Sequence, residues 1–254
     1  MTHTDRVLLV SHGQPSAPAT GEAEIIALAE AVAFCNPGIP VRGATLAAPG
    51  ALEAVLDGAR APLIYPFFMA DGWFTQSALP KRLAGAGARQ MPPFGLDPGL
   101  PGFTDRWLSE TLAQQGWSAV ETTLFVAGHG SGRSPRPAEA TRAFAAALSL
   151  EFAEVRCGFV EESPHLAEAA QELPDRSICL PFFALKRGHV LEDLPRALEA
   201  TGFSGVLLDP FGLHPALPEF LASRIAAEAG GQKRVMTVAP GLSKRSMDVK
   251  ASTD

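Results

Sequence analysis

The feature that most limits what this chain can fold into is that its first half returns, altered, as its second. VLLVSHGQP matches LFVAGHGSG, which pairs His12 with His129, an offset of 129 − 12 = 117 residues. VRGATLAAP resembles VRCGFVEES and pairs Arg42 with Arg156. LIYPFFMADGWFTQSALPKRL matches ICLPFFALKRGHVLEDLPRAL, with Pro66 on Pro181 and Pro80 on Pro195. PPFGLDPGLPGF matches DPFGLHPALPEF, with Phe94 on Phe211. Four matches in one order, at offsets that agree to within three residues, mark a tandem duplication. The fold must therefore be built from one supersecondary unit used twice.

Each copy alternates strand and helix. RVLLV, VRGATLA and APLIYPFF read as strands of the first half, and TTLFVAG, EVRCGFV, SICLPFF and GVLLDPF as strands of the second. Between them, GEAEIIALAEAVAFC, ALEAVLDGA, RPAEATRAFAAALSLEF, HLAEAAQEL, LEDLPRALEATG and LPEFLASRIAAEAG carry apolar residues at helical spacing. TQSALPKRLAGAG begins a further helix, with Thr75 as its N-cap. The strands are nearly continuous apolar runs, the pattern of a parallel sheet covered on both faces. The expectation is α/β: two tandem, doubly wound domains with parallel sheets. They span 1–116 and 117–230, with the boundary near Gln115–Ala119, and a polar, Lys-rich tail over 231–254 is expected to be disordered.

Composition removes several function classes. A net charge of −6 argues against nucleic acid or an anionic membrane as a general partner, and the 7% aromatic content offers no stacking platform for bases. Cys35, Cys157 and Cys179 are scattered and form no C-x-x-C, so a disulfide framework, a thiolate zinc site and an iron–sulfur cluster lack support. The first apolar run is too short for a signal peptide and no run reaches spanning length, so a reduced, cytoplasmic protein is expected.

In open parallel sheets, ligands bind beyond the carboxyl ends of the strands. The first strand of each half ends directly on its histidine, with glycine beside it to let the chain turn. The duplication then supplies an internal comparison. At three successive strand ends the first half carries His12, then Ala47 and Ala48, then Phe74. The second half carries His129, then Glu161 and Glu162, then His189. Neighbouring strands lie about 4.8 Å apart, so two imidazoles and a carboxylate converge in the second half alone. A purely structural role would give the halves little reason to diverge in this concerted way. His129, Glu161 and His189 are therefore the candidate metal ligands and catalytic groups, a set suited to Co(II), Fe(II), Ni(II) or Zn(II). His189 sits near a helix N-terminus, where the dipole disfavours a cationic ring and leaves the neutral, ligating form. His165 and His214 have no such company and read as surface or capping residues. The absence of G-x-S-x-G and of a Lys-Ser/Thr ending after GHGSGRS argues against a serine hydrolase and a P-loop. A hydrolase using metal-bound water fits the ligands but lacks a denser carboxylate cluster.

With these residues in view, the chain to about residue 230 resembles the class II tetrapyrrole chelatases, above all the sirohydrochlorin cobaltochelatase and ferrochelatase family. The motifs that carry the resemblance are VSHG, AGHGS, FVEESP and LPFFALKRGHVLEDLP. It implies two α/β domains with an active cleft between them. It also implies insertion of a divalent metal (cobalt, iron or nickel, as substrate) into a small-molecule tetrapyrrole, without an organic cofactor. The family's metal-site histidines fall on His129 and His189, and a carboxylate falls on Glu161. Phe74 stands where the first half would need its second histidine, so the active half is expected to be the second. Trp73 and Phe74 would form an apolar wall for the macrocycle. His12, Ser131, Arg133, Arg136, Lys186 and Arg187 would contact the substrate, the four cations by pairing with its carboxylates. The alternative from another class is a metal- or tetrapyrrole-binding delivery protein without catalysis.

Overall fold

The computed structural model describes residues 5–234. Two parallel four-stranded sheets carry the fold. The first contains β1 (Val7–Ser11), β2 (Val41–Thr45), β3 (Leu63–Pro66) and β4 (Arg89–Gln90) in the order β2-β1-β3-β4. The second contains β5 (Thr123–Gly128), β6 (Glu154–Phe159), β7 (Ser177–Pro181) and β8 (Val206–Leu207) in the order β6-β5-β7-β8. The shared order is the duplication expressed as topology. In each sheet the chain winds outward from the first strand to one side, then returns to its other side. That reversal opens a crevice at the carboxyl ends of the strands.

The helices are α1 (Pro18–Cys35), α2 (Ala51–Leu56), α3 (Leu79–Arg82), α4 (Leu100–Gln115), α5 (Arg136–Ala146), α6 (Leu166–Ala169), α7 (Gly188–Leu191), α8 (Asp193–Ala200) and α9 (Leu217–Arg234). Among the described residues, no helix is long and apolar enough to cross a membrane. Side chains alternate across each strand. Val7 and Leu9 of β1 join Leu124 and Val126 of β5 in one continuous core shared by both sheets. Leu8 and Val10 face the opposite side and pack with Leu52, Leu79 and Leu83. In the second half, Phe125, Ala127 and Cys179 pack outward on Leu166, Leu194 and Leu198. The shared core is closed by aromatic rings from both halves, with Phe94 against Phe211 at 5.6 Å and Phe103 against Phe220 at 4.8 Å. The Oη of Tyr65 donates to buried Asp97 at 2.6 Å, and Nε of Arg224, from α9, lies 2.7 Å from the other Asp97 oxygen. Burial, and next the Asp97 charge, push the Tyr65 hydroxyl far above its ordinary pKa.

Several elements differ from the sequence expectation. The periodicity of the first half passes over β4, a two-residue edge strand too short to show a pattern. It also passes over α4, whose buried Leu100, Phe103, Thr104, Leu108, Thr111 and Leu112 recur at helical spacing and whose end is marked by Gly116 at φ 66°. HLAEAAQEL yields only the four residues of α6, and LEDLPRALEATG breaks at Glu192. Thr75 is not an N-cap. It lies inside a π-turn, Phe74–Ala78, where its hydroxyl donates to Asp71 at 2.8 Å and accepts from the Gly72 N–H at 2.9 Å. Of the tail expected over 231–254, residues 231–234 continue α9 and the remainder lies outside the described residues.

Candidate metal centre

Each first strand delivers its histidine through the same turn. His12 follows β1 and His129 follows β5. In both, Nδ1 donates to the carbonyl of the next glycine at 3.0 Å, Gly13 or Gly130. Those glycines have φ of 76° and 65°. A Cβ on Gly130 would stand 2.8 Å from Cβ of Phe159 and 2.9 Å from Cγ of Glu162, so the turn closes only around a bare Cα. With Nδ1 occupied as a donor, the lone pair of His129 lies on Nε2.

The neighbouring strand stitches its own loop to this turn. The Glu161 N–H donates to the His129 carbonyl at 3.0 Å, and the Ser131 N–H to Glu162 Oε1 at 2.9 Å. Glu161 Oε2 then stands 3.9 Å from His129 Nδ1. From the other flank, the loop after β7 brings His189, whose ring centroid is 4.6 Å from that of His129 with the planes 88° apart. Donor atoms of His129, Glu161 and His189 all lie within 4.8 Å of one another, and this is the one such group among the described residues. Their side chains are half-exposed, so an ion and a substrate can both reach them. The dominant polar neighbour of His189 is not the end of the single-turn α7 but a carboxylate: Nδ1 lies 2.6 Å from Asp193 Oδ2.

In the first half the same turn leads elsewhere. The Phe74 ring packs on the edge of His12 at 4.2 Å and fills the position that His189 holds in the second half. Ala47 N–H still donates to the His12 carbonyl at 2.9 Å, so the stitch survives where the carboxylate does not. His12, Phe68, Trp73 and Phe74 face His129 and Glu161 across a cavity of about 450 Å3, a size usual for small-molecule sites. His189 is not in that lining, though its ring lies against that of His129, which is. Trp73 is 68% exposed, so it is not a core residue. Phe68 belongs to this wall as well, and PFF at a strand end carried that signal in the sequence.

The expected substrate contacts are distributed unevenly. Ser131 lines the cavity, and Arg133 beside it is exposed, with its guanidinium unpaired among the described residues. Arg136 reaches across to the side-chain oxygen of Gln76 in the π-turn. Lys186 and Arg187 do not crowd the mouth as unpaired cations. Lys186 pairs with Asp209 at 2.9 Å, and Arg187 pairs with Glu24 of α1 in the other half. His165 starts α6, where Glu168 accepts from its N–H at 2.7 Å, which with the Ser163 hydroxyl holds that carboxyl below its usual range. His214 sits half-buried between Phe103 and Trp107, and its Nδ1 accepts from the Ala216 N–H at 3.2 Å just ahead of α9, the capping position expected of it.

The model of the CbiX family matches residues 123–228, the half that carries the clustered donors. The structure of CbiX, the terminal enzyme for biosynthesis of siroheme in denitrifying bacteria, is 51% identical. That match covers 87% of this chain and 98% of that one, with a TM-score of 0.79. Bacillus subtilis SirB with Fe3+ is 16% identical over 90% of this chain and 97% of its own, at a TM-score of 0.69. DR2241 from Deinococcus radiodurans, a multi-domain protein with structural similarity to chelatases, is 23% identical over 87% of this chain and 54% of its own, at 0.65. These two share the fold. No curated protein matches the chain. Over nearly the full length of a relative more than half identical to it, the chain belongs to the CbiX family of class II chelatases.

Proposed function

We propose that this protein inserts a divalent metal into sirohydrochlorin, and that His129, Glu161 and His189 carry the metal to the ring. The observation that carries the reading is the convergence of these three donors, two of which, His129 and Glu161, line a cavity whose other side is aromatic. The 51%-identical relative finishes siroheme, which favours iron as the metal in the cell. The same two-imidazole, one-carboxylate set also accepts Co(II) and Ni(II), and supply then decides between them.

The chemistry assigns the parts. Insertion exchanges two pyrrole N–H protons for one M(II), so the site must present the metal, bend the ring and receive two protons. Nε2 of His129 offers a lone pair whose tautomer the Gly130 carbonyl enforces. Glu161, half-exposed beside it, accepts a proton and passes it to water. Trp73, Phe74 and Phe68 press on the flat face of the macrocycle, and binding there supplies the energy for distorting it. His12 stands in the aromatic wall, placed to contact the ring rather than to share the metal. Arg133 and Arg136 pair with peripheral carboxylates, Arg136 after giving up Gln76.

The test is anaerobic absorbance of purified protein with sirohydrochlorin and Fe(II), Co(II) or Ni(II) in turn. The expected result is metallation well above the uncatalysed rate with at least one metal. Sirohydrochlorin that binds while metallation stays at the uncatalysed rate would make this a delivery protein instead.

A further inference from the structure

We propose that Asp193 is a positioning residue for the metal centre: it holds the His189 ring in the tautomer and orientation that turn a bare Nε2 to the cation. This rests on the reading of His129, Glu161 and His189 as the metal site. Three observations carry it.

The first is the contact. Asp193 Oδ2 lies 2.6 Å from His189 Nδ1, so the carboxylate accepts the Nδ1 proton and the ring's lone pair is left on Nε2. His129 has the same arrangement, but its acceptor is the Gly130 carbonyl. A carboxylate behind a ligating imidazole fixes its aim and raises its basicity.

The second is how the chain delivers Asp193. Pro195 has no N–H for the Leu191 carbonyl and its ring crowds that oxygen, which disfavours a regular α-helix through this point. The break falls at Glu192, φ −121° and ψ −60°, between the histidine and the aspartate. The bend brings a carboxylate from the first turn of α8 against a ring on α7.

The third is the duplication. Aligning LPFFALKRGHVLEDLP with YPFFMADGWFTQSALP places His189 on Phe74 and Asp193 on Ala78. Leu194 and Pro195 keep their counterparts, Leu79 and Pro80. The packing leucine and the proline are present in both halves; the imidazole and the carboxylate are present together in one and absent together from the other. An aspartate that served only the helix end would have no tie to the histidine.

The experiment titrates the full-length, tetrapyrrole-free protein with Co(II) and follows the visible absorption of the bound ion, with thermal unfolding alongside. Asp193→Ala is expected to weaken Co(II) binding about 10- to 100-fold and to shift the bands toward those of His189→Ala. Asp193→Asn keeps an acceptor oxygen and is expected to fall between Asp193→Ala and the unaltered protein. If Asp193→Ala fails to fold, that intermediate affinity in Asp193→Asn supports the assignment and an unchanged one overturns it. Native affinity and spectrum in Asp193→Ala, with His189→Ala impaired, would overturn the role of Asp193 alone. Equal Co(II) binding by the unaltered protein and His189→Ala would bring down the metal site, and this proposal with it.

Discussion

At the scale of single residues, the two halves act as an internal control for one another. His12 and His129 share a turn, a hydrogen bond and a backbone geometry, yet one faces Phe74 and the other a carboxylate and a second imidazole. Replacing His129 or His189 by alanine is expected to lower the rate of metallation by about 100-fold or more, and Glu161→Ala by about 10-fold, since water can take over proton acceptance. His12→Ala is expected to stay within about threefold, because no second ligand stands beside it. Initial rates with sirohydrochlorin check all four. His214 makes a different prediction. Burial between Phe103 and Trp107 lowers its pKa, with Glu110 acting weakly the other way. As pH falls, the unfolded chain therefore takes up this proton first, and stability declines below about pH 6.5 until the folded histidine also protonates. Urea midpoints at neutral and mildly acidic pH should show this decline, and His214→Asn should flatten it. The donor trio was legible in the sequence because a duplicated chain displays the positions that differ. Asp193 lies in the Asp-Leu-Pro that helped carry the family resemblance, but the sequence assigned it no role, because its reach to His189 depends on a helix break that i, i+4 spacing alone does not announce.

At the scale of elements, the β5 turn and the α7–α8 break are the devices that bring His129 and His189 together. Gly130 takes a left-handed φ that costs a residue with a Cβ about 1–2 kcal/mol, before the contacts with Phe159 and Glu162 are counted. Gly130→Ala is thus expected to lower the unfolding midpoint and to cut metallation about 10-fold, by moving His129 off the cluster. Gly132 has an ordinary φ and meets nothing nearer than the Glu161 carbonyl at 3.7 Å, so Gly132→Ala should change neither. Parallel thermal melts and rate measurements on the two variants check the contrast. Strand identity was readable here because the central strands β1, β3, β5 and β7 are buried at every position and nearly continuous in apolar residues. The short elements were less so: β4 and α6 exist through their neighbours' hydrogen bonds and packing, with no periodicity of their own.

At the scale of the whole molecule, the halves are not beads on a string. One core runs from β1 and β3 through α1, α4 and α9 to β5 and β7. Asp97 of the first half binds Tyr65 and is paired with Arg224 of the second. Asp97→Ala is expected to cost about 3 kcal/mol, read from denaturant unfolding, because it leaves a buried hydroxyl and a guanidinium without their acceptor. The shared core also predicts a single calorimetric unfolding transition for the full chain. What the sequence by itself determined was the repeating unit, its parallel sheets and the three donors, since these follow from local periodicity and from comparing one half with the other. Only the tertiary structure decided that the halves share a core, that Lys186 and Arg187 spend their charge on Asp209 and Glu24, and that Asp193 stands behind His189. Periodicity records which face of an element is buried. It does not record which distant surface buries that face, nor which carboxylate a long cationic side chain will meet.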